Sequence, residues 1–381
     1  MSFFKYNLIT INGYRRLYNT ELRMRPLSVM IGENGAGKTS LLEVFSLLAD
    51  SAKGKLQQSM SRLGGIQELL TIEKSNKISF GLSILGSDKH PIYYDVSLQP
   101  KGNSYEISSE KLYQKDQSFD YIQSTGTSIK YYNSETKRYI TPNWAHSYLE
   151  TSLSQVPKMY EISEIFRTHM ASCQYYSANA LSLGHDAPIR LPQKMQPVTD
   201  PGKNGEYLVS CLYHLRETSP ELYEAIEDTL CTAFPGFKKL NFPPVATGTI
   251  AMTWTDKNYS IPLYSSQLSE GMLRFLWLVT ILYCSESNSI TLVDEPEVSL
   301  HPQLLCILSD IFREVSRKTH LFIATHSCRL IRFMRPSEVI VIDSENGQSQ
   351  LKWADNLSLD NWLTEYNLDE LWTMGRLGGK S

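Results

Sequence analysis

The chain has 381 residues, 41% of them hydrophobic and 20% charged, which is apolar material enough for one large domain or two lobes. Its 37 basic and 40 acidic residues leave a net charge of -3, a balance that requires no polyanionic partner although it permits a local basic patch. The six cysteines, at 173, 211, 231, 284, 306 and 328, include no C-x-x-C pair, which speaks against a zinc site or a disulfide framework and for small core residues in a reducing compartment. The opening MSFFKYNLITI lacks the long apolar core of a signal peptide, and no stretch reaches the ~20 apolar residues of a membrane span. A soluble, cytoplasmic protein with no membrane partner is expected.

In chain order, Phe4, Tyr6, Leu8 and Thr10 alternate with Lys5, Asn7 and Ile9, which predicts a strand turned at Asn12-Gly13. A second strand is expected over Glu21 to Met24, and the apolar run Leu27 to Ile31 leads into a glycine-rich loop. Apolar residues at 41, 42, 45, 47 and 48 have helical spacing. From about 76 to 150 the segments KISFGLSIL, PIYYDVSL and NSYEISSEKLY alternate, with turns at Gly86-Ser87, Lys101-Gly102 and Asn133, the pattern of an antiparallel sheet with exposed faces. Tyr160 to Met170 is periodic as a helix, and Gly205 to Arg216 and Pro220 to Phe234 form a helical pair stopped by Pro235-Gly236. Residues 247–264 read as a hairpin. The last third alternates helix (Ser269 to Tyr283), strand (Ile290 to Val293), helix (Pro302 to Val315) and strands (Leu321 to Ala324, Val339 to Ile342). Short continuous β-rich runs between helices suit a parallel sheet buried on both faces, so the chain is read as α/β. No internal repeat, low-complexity tract or long heptad segment is visible.

Residues 32–39, Gly32-Glu33-Asn34-Gly35-Ala36-Gly37-Lys38-Thr39, fit G-x-x-x-x-G-K-[ST] and are followed by Ser40. Glycines let the backbone curl so that N–H groups point inward at phosphate oxygens, and the helix that begins near Lys38 adds its N-terminal partial charge. The Lys38 ammonium is suited to the β- and γ-phosphates and the Thr39 hydroxyl to magnesium. A strand before the loop and a helix after it make a chance match a poor explanation.

Ile290 to Val293 runs directly into Asp294 and Glu295. A buried strand ending in two acids suits Asp294 to magnesium and Glu295 to polarising an attacking water as general base. Leu268-Ser269-Glu270-Gly271 opens the next-to-last long helix, with Ser269 as a good N-cap, and Ser269 precedes Asp294 by 25 residues. In isolation an ordinary capped core helix would explain it, but a helix N-terminus with serine and glycine is also a second anion site, one that need not serve its own chain's nucleotide. Leu321 to Ala324 leads into Thr325-His326-Ser327. Parallel topology would bring His326 to the same sheet edge as Asp294, within reach of the γ-phosphate or the attacking water.

GENGAGKTS, LSEGMLRFL, TLVDEPEVSLHP and IATHS, in this order over nearly the whole chain, resemble the ABC-type ATPases, and more narrowly the RecF/SMC-like bacterial ATPases. The chain looks like the stand-alone ATPases of bacterial defence-type operons. DEPEVSLHP is also similar to the ATPase part of overcoming-lysogenization-defect nucleases, and NLDELWTMGRLGG to the stand-alone group. The resemblance implies a P-loop NTPase fold of ABC type, with ATP and Mg2+ as cofactors. Its two parts would lie at 1–75 and 261–350, around an inserted β-rich and helical lobe at 76–260 and before a C-terminal extension at 351–381, with no long coiled coil and no nuclease domain. It further implies a head-to-tail homodimer in which Lys38 and Thr39 of one chain face Ser269 and Gly271 of the other, with Glu297 to His301 at the interface. Gln67, in GGIQELL, is the candidate for the family's Q-loop glutamine, and Arg15 and Arg16 lie where similar arginines approach the base or phosphates. Glu270 stands where transporters have glycine, and His301 where many relatives have aspartate. Three functions fit the resemblance: an ATP-driven switch acting on DNA ends or a separately encoded effector such as a nuclease, a transporter nucleotide-binding subunit, and a scaffold that binds ATP and scarcely hydrolyses it.

Overall fold

The apolar run Leu27–Gly32 is buried along its whole length. Leu27, Val29 and Ile31 enter one hydrophobic core and Met30 enters another, as the two-residue period of a strand covered on both faces requires. The computed structural model describes residues 5–86, 90–126, 128–357, 362 and 365–378. Phe4, Ser87 and Gly379, which carry parts of the sequence reading, lie outside the described residues.

In chain order the first elements are β1 (Lys5–Asn12), β2 (Thr20–Arg23), β3 (Leu27–Gly32), α1 (Lys38–Ala52), α2 (Leu56–Arg62) and α3 (Ile66–Leu69). The meander β4 (Ile78–Leu85), β5 (Pro91–Lys101), β6 (Ser104–Gln114), β7 (Asp120–Thr125), β8 (Ser128–Asn133) and β9 (Arg138–Ile140) follows. Next come α4 (Ser152–Gln155), α5 (Glu161–Ala171), β10 (Gln174–Ser177), β11 (Gln193–Lys194), α6 (Leu208–Thr218) and α7 (Pro220–Ala233). Five short strands, β12 (Phe237–Asn241), β13 (Pro244–Ala246), β14 (Thr249–Ile250), β15 (Thr253–Asp256) and β16 (Leu263–Tyr264), precede α8 (Glu270–Cys284). The last third is β17 (Ile290–Asp294), α9 (Pro302–Val315), β18 (His320–Ala324), α10 (Cys328–Ile331), β19 (Val339–Glu345), β20 (Gln348–Trp353) and a short helix at Leu368–Thr373.

Two large sheets organise these elements. One is antiparallel, in the order β2-β1-β4-β5-β6-β7-β8-β9; the other runs β10-β17-β18-β3-β19-β20 and is parallel except for its last pair. Helix α1 lies between them. Its Leu41, Leu42, Val44, Phe45, Leu47 and Leu48 are all buried, in one core with Met30, Leu292 and Phe322 of the parallel sheet and with Ile92, Tyr94, Val96 and Leu98 of β5. The Phe45 and Phe322 rings are 5.0 Å apart. A helix clad in apolar residues on most sides can sit only between two apolar layers. On β5 the buried residues alternate with half-exposed ones, so one face of the antiparallel sheet packs and the other faces water. The opposite face of the parallel sheet is covered by α6, α7, α8 and α9, which share the first core with Val29, Val293 and Ile323.

The α/β fold, with its antiparallel addition, is the expected one. The longest helices among the described residues have 15 residues, too short for a coiled-coil arm, and no helix there is long and apolar enough to cross a membrane. Several elements fall differently from the sequence reading. β1 and β2 pair into the antiparallel sheet with β4. β10, from the middle of the chain, is the edge strand of the parallel sheet, beside β17. The 247–264 segment divides between two small sheets, β14 with β11 and β13, and β15 with β12 and β16. Cys173 and Cys211 are buried and Cys284 half-buried, but Cys231, Cys306 and Cys328 are exposed. On α9 the buried set is Leu304, Leu305, Leu308, Ile311, Phe312 and Val315, so helical period puts Cys306 on the other face.

Because α1 joins two sheets through Phe45, Phe45→Ala should lower stability by about 3–5 kcal/mol. Urea unfolding of the two proteins measures this, and a loss within error of zero would contradict the placement of α1.

Candidate functional site at the carboxyl edge of the parallel sheet

Strand β3 ends at Gly32 and α1 begins at Lys38, with a tight loop between them. Gly32 pairs with Ile342 of β19, and a Cβ at Gly32 would lie 2.2 Å from the Ile342 carbonyl oxygen. Gly37 has φ 116°, and a Cβ there would meet Ser349 Oγ at 2.5 Å. Both positions therefore require glycine, one for a close backbone approach and one for backbone conformation as well. Gly37 also occupies the N-cap of α1 and supplies no side chain to cap it, which leaves the first-turn N–H groups and the positive end of the helix dipole available to an anion.

The remaining loop residues divide by exposure. Glu33, Asn34, Gly35 and Thr39 are exposed, Ser40 is half-buried, and Ala36 and Lys38 are buried. Lys38 Nζ turns back over the loop and donates to the carbonyl oxygens of Gly32 at 2.5 Å and Glu33 at 2.9 Å. Burial lowers the Lys38 pKa to about 8, against the upward pull of Asp294, Glu295 and Glu297. This ammonium is therefore partly desolvated and faces three carboxylates.

Parallel register brings those groups together. Asp294 aligns with Ala324, Ala324 with Met30, and Ser177 with Asp294, so the residues that follow each strand collect at one edge. Asp294 is half-buried and accepts a hydrogen bond from Tyr175 Oη at 3.0 Å. Its pKa is raised chiefly by burial, with the Tyr175 hydrogen bond opposing. Glu295 has φ 52°, a left-handed conformation that costs a side-chain-bearing residue roughly 1–2 kcal/mol. Its N–H donates to the Ala324 carbonyl at 2.8 Å. His326 Nε2 stands 3.8 Å from Glu295 Oε1, and burial and Lys38 lower the His326 pKa while Glu295 raises it. A neutral imidazole beside a carboxylate at a solvent-accessible edge is suited to ordering a water or a phosphate oxygen.

Other sequence-predicted residues lie apart. Ser269 caps α8, its Oγ accepting from Met272 N at 3.3 Å, and is exposed. Gly271 packs on the 297–301 loop, where a Cβ would lie 3.0 Å from the Ser299 carbonyl oxygen. His301 caps α9 through Nδ1, which accepts from Gln303 N at 3.4 Å. Gln67 is exposed on α3. Arg15 pairs with Glu43 of α1 at 3.1 Å, and Arg16 donates to Ser344 Oγ at 3.4 Å. The fold thus joins the phosphate loop, the acid pair and His326, whereas Ser269 is exposed at the start of α8 and makes its side-chain hydrogen bond within that helix.

Two side chains at the site escaped the sequence reading. Tyr175 holds Asp294, and only the short β-rich run before Ser177 could have pointed to it. Ser349 donates through Oγ to Ala36 O at 2.5 Å, and its N–H donates to Arg16 O at 2.9 Å. It therefore fastens the phosphate loop to β20, and no local sequence signal marks it.

The fold is similar to that of SMC head domains. It resembles the SMC head bound to the C-winged helix domain of ScpA (TM-score 0.57, 11% identity, 91% of this chain and 97% of that one). It likewise resembles the SMC head domain from Thermotoga maritima (0.51, 11%, 91% and 98%). A third similar structure is the Smc head domain with an extended coiled coil bound to the C-terminal domain of ScpA derived from Pyrococcus furiosus (0.55, 11%, 95% and 100%). At such identity the likeness is one of fold. Residues 27–332 match the family described as "AAA domain, putative AbiEii toxin, Type IV TA system", and the chain belongs to that family. No curated protein matches it.

A polyphosphate binds the charged form of Lys38, and that form is complete only below a pKa of about 8. Nucleotide affinity should be level from acid pH up to that value and then weaken by up to about tenfold per unit. Lys38→Arg, cationic throughout, should abolish the pH dependence even if it binds more weakly. Titration of a fluorescent ATP analogue between about pH 6.5 and 9.5 checks this, and a wild-type affinity unchanged across the range would contradict it.

Proposed function

We propose that the protein binds Mg-ATP at the 32–40 loop, hydrolyses it, and uses the cycle to close and open a head-to-tail dimer that controls a partner. The observation that carries this reading is the convergence of Lys38, Asp294, Glu295 and His326 at one sheet edge, beside an uncapped helix N-terminus.

The donors suit magnesium. Thr39 offers an exposed hydroxyl and Asp294 a carboxylate fixed by Tyr175, an oxygen-only pair of the kind Mg2+ takes alongside phosphate and water oxygens. Bound there, Mg2+ would neutralise charge on the β- and γ-phosphates. Backbone N–H groups of residues 35–40 would hold the phosphates, and Lys38 would leave its own loop carbonyls for the β- and γ-oxygens. Glu295 would accept the proton of the attacking water, and His326 would orient that water or the γ-phosphate. Ser269 and Gly271, exposed and half-exposed at the start of α8, would complete the site of a second copy, which is why dimerisation belongs to the proposal. Gln67 would serve as the Q-loop residue only if α3 approaches the nucleotide on closure.

The partner is proposed to be a separately encoded effector or nuclease of an anti-phage-type system, in keeping with the family's toxin description. Similar heads bound to ScpA domains support a protein partner for this architecture. The 76–260 lobe, with the 351–381 extension, is the proposed output surface. A DNA-binding repair-type role is the second reading, and salt-sensitive DNA binding would distinguish it.

Glu295→Gln removes the proposed base and keeps its shape. Hydrolysis should fall about a hundredfold or more while ATP binding persists, and light scattering should show an ATP-dependent dimer that no longer dissociates with time. Unchanged turnover would remove Glu295 from the mechanism, and a protein that stays monomeric with ATP would remove the dimer.

A further inference from the structure

Glu297 follows the acid pair by two residues, and its side-chain hydrogen bonds run to the residues that follow β18. Its Oε1 accepts from Thr325 Oγ1 at 2.7 Å and from the His326 backbone N–H at 2.9 Å. Its Oε2 is closed off from solvent and meets no donor among the described residues. Burial raises its pKa, while the hydrogen bonds from Thr325, from its own backbone N–H and from His326 oppose that rise. A largely buried carboxylate loses hydration that its hydrogen bonds offset only in part.

We infer that Glu297 is a positioning residue, whose carboxylate sets the main chain at His326 and thereby the place of the imidazole against Glu295. The inference rests on the hydrolytic reading above. Local helix capping does not account for the carboxylate, because Ser327 already caps α10 by accepting from Leu330 N at 3.4 Å. The bonds fall instead on the two residues that decide where His326 projects. Thr325 is fully buried, and its N–H donates to Met30 O at 3.1 Å, which ties it to β3. Its Oγ1 accepts from Ser327 N at 2.9 Å while donating to Glu297. Thr325 is thus held by the sheet on one side and by Glu297 on the other, with His326 next in the chain. Two residues beyond Glu297, the Ser299 carbonyl abuts Gly271 at the start of α8. One short segment therefore joins the exposed α8 terminus to the histidine of the same chain's site.

What the site needs from Glu297 is an acceptor oxygen in one place, which glutamine also supplies. Turnover, KM and nucleotide affinity are to be measured for Glu297→Ala and Glu297→Gln, with melting curves to confirm folding. Amide hydrogen exchange at 325–327 is read on the nucleotide-free proteins. In Glu297→Ala, kcat should fall about tenfold or more with nucleotide affinity within about twofold, and Glu297→Gln should stay within about threefold of wild type. The His326 amide should lose protection in the alanine variant and keep it in the glutamine variant. If Glu297→Ala does not fold, Thr325→Val removes the donor hydroxyl at similar volume and should lower kcat where Thr325→Ser does not. The inference is overturned if Glu297→Ala turns over like wild type, if Glu297→Gln is as damaged as the alanine variant, or if His326 protection is unaffected. A wild-type protein without ATPase activity would defeat the functional reading instead, and the exchange experiment would still decide whether Glu297 holds His326.

Discussion

Five parallel strands deliver their carboxyl ends to one edge, and the pairing of β3 with β18 and β19 is the constraint on which the rest of the site depends. Gly32 can lie against Ile342 only because it has no side chain. That contact sets where the phosphate loop leaves the sheet. The β3–β18 and β17–β18 registers then determine that Asp294, Glu295 and His326 arrive at the level of the loop. Moving β18 by one residue would turn its apolar side chains to the wrong cores and carry His326 away from Glu295, so packing on both faces protects the chemistry at the edge.

The electrostatics of that edge are unbalanced, with one ammonium among three carboxylates. Lys38 is buried and, among the described residues, its ammonium donates only to loop carbonyls, while Asp294, Glu295 and Glu297 act on it from nearby. Burial pushes the pKa of Asp294 up and those of Lys38 and His326 down. Each shift disfavours the charged form, as desolvation always does. A phosphate chain with its cation would supply charge of both signs and restore the ionised forms, which gives a physical reason why such a site closes around Mg-ATP.

Around this edge the fold places restraints from distant parts of the chain. Tyr175 of β10 orients Asp294, Ser349 of β20 fixes Ala36, and Arg190 donates to the carbonyls of Ser265, Ser266 and Leu268 just before the Ser269 cap. Each is a side chain that locks a loop rather than one that would touch the nucleotide. Geometry held in this way is what a charge-stabilising site requires, since donors that must reorganise during reaction lose much of their effect.

By itself the sequence determined the parts that local rules govern. Glycine spacing at 32–37, two acids after a buried strand, a serine before an apolar helix and short β-rich runs between helices are consequences of backbone sterics, capping and side-chain period, which act over a few residues. From these the α/β fold and the residues of the edge were legible. Only the tertiary structure decided that β10 closes the parallel sheet, that β1 and β2 leave the first segment for the antiparallel sheet, and that Tyr175, Ser349 and Glu297 reach the site. Those arrangements come from long-range strand pairing and from burying α1 between two sheets, where the choice of partner depends on the summed apolar surface of the whole chain and leaves no mark at any one position.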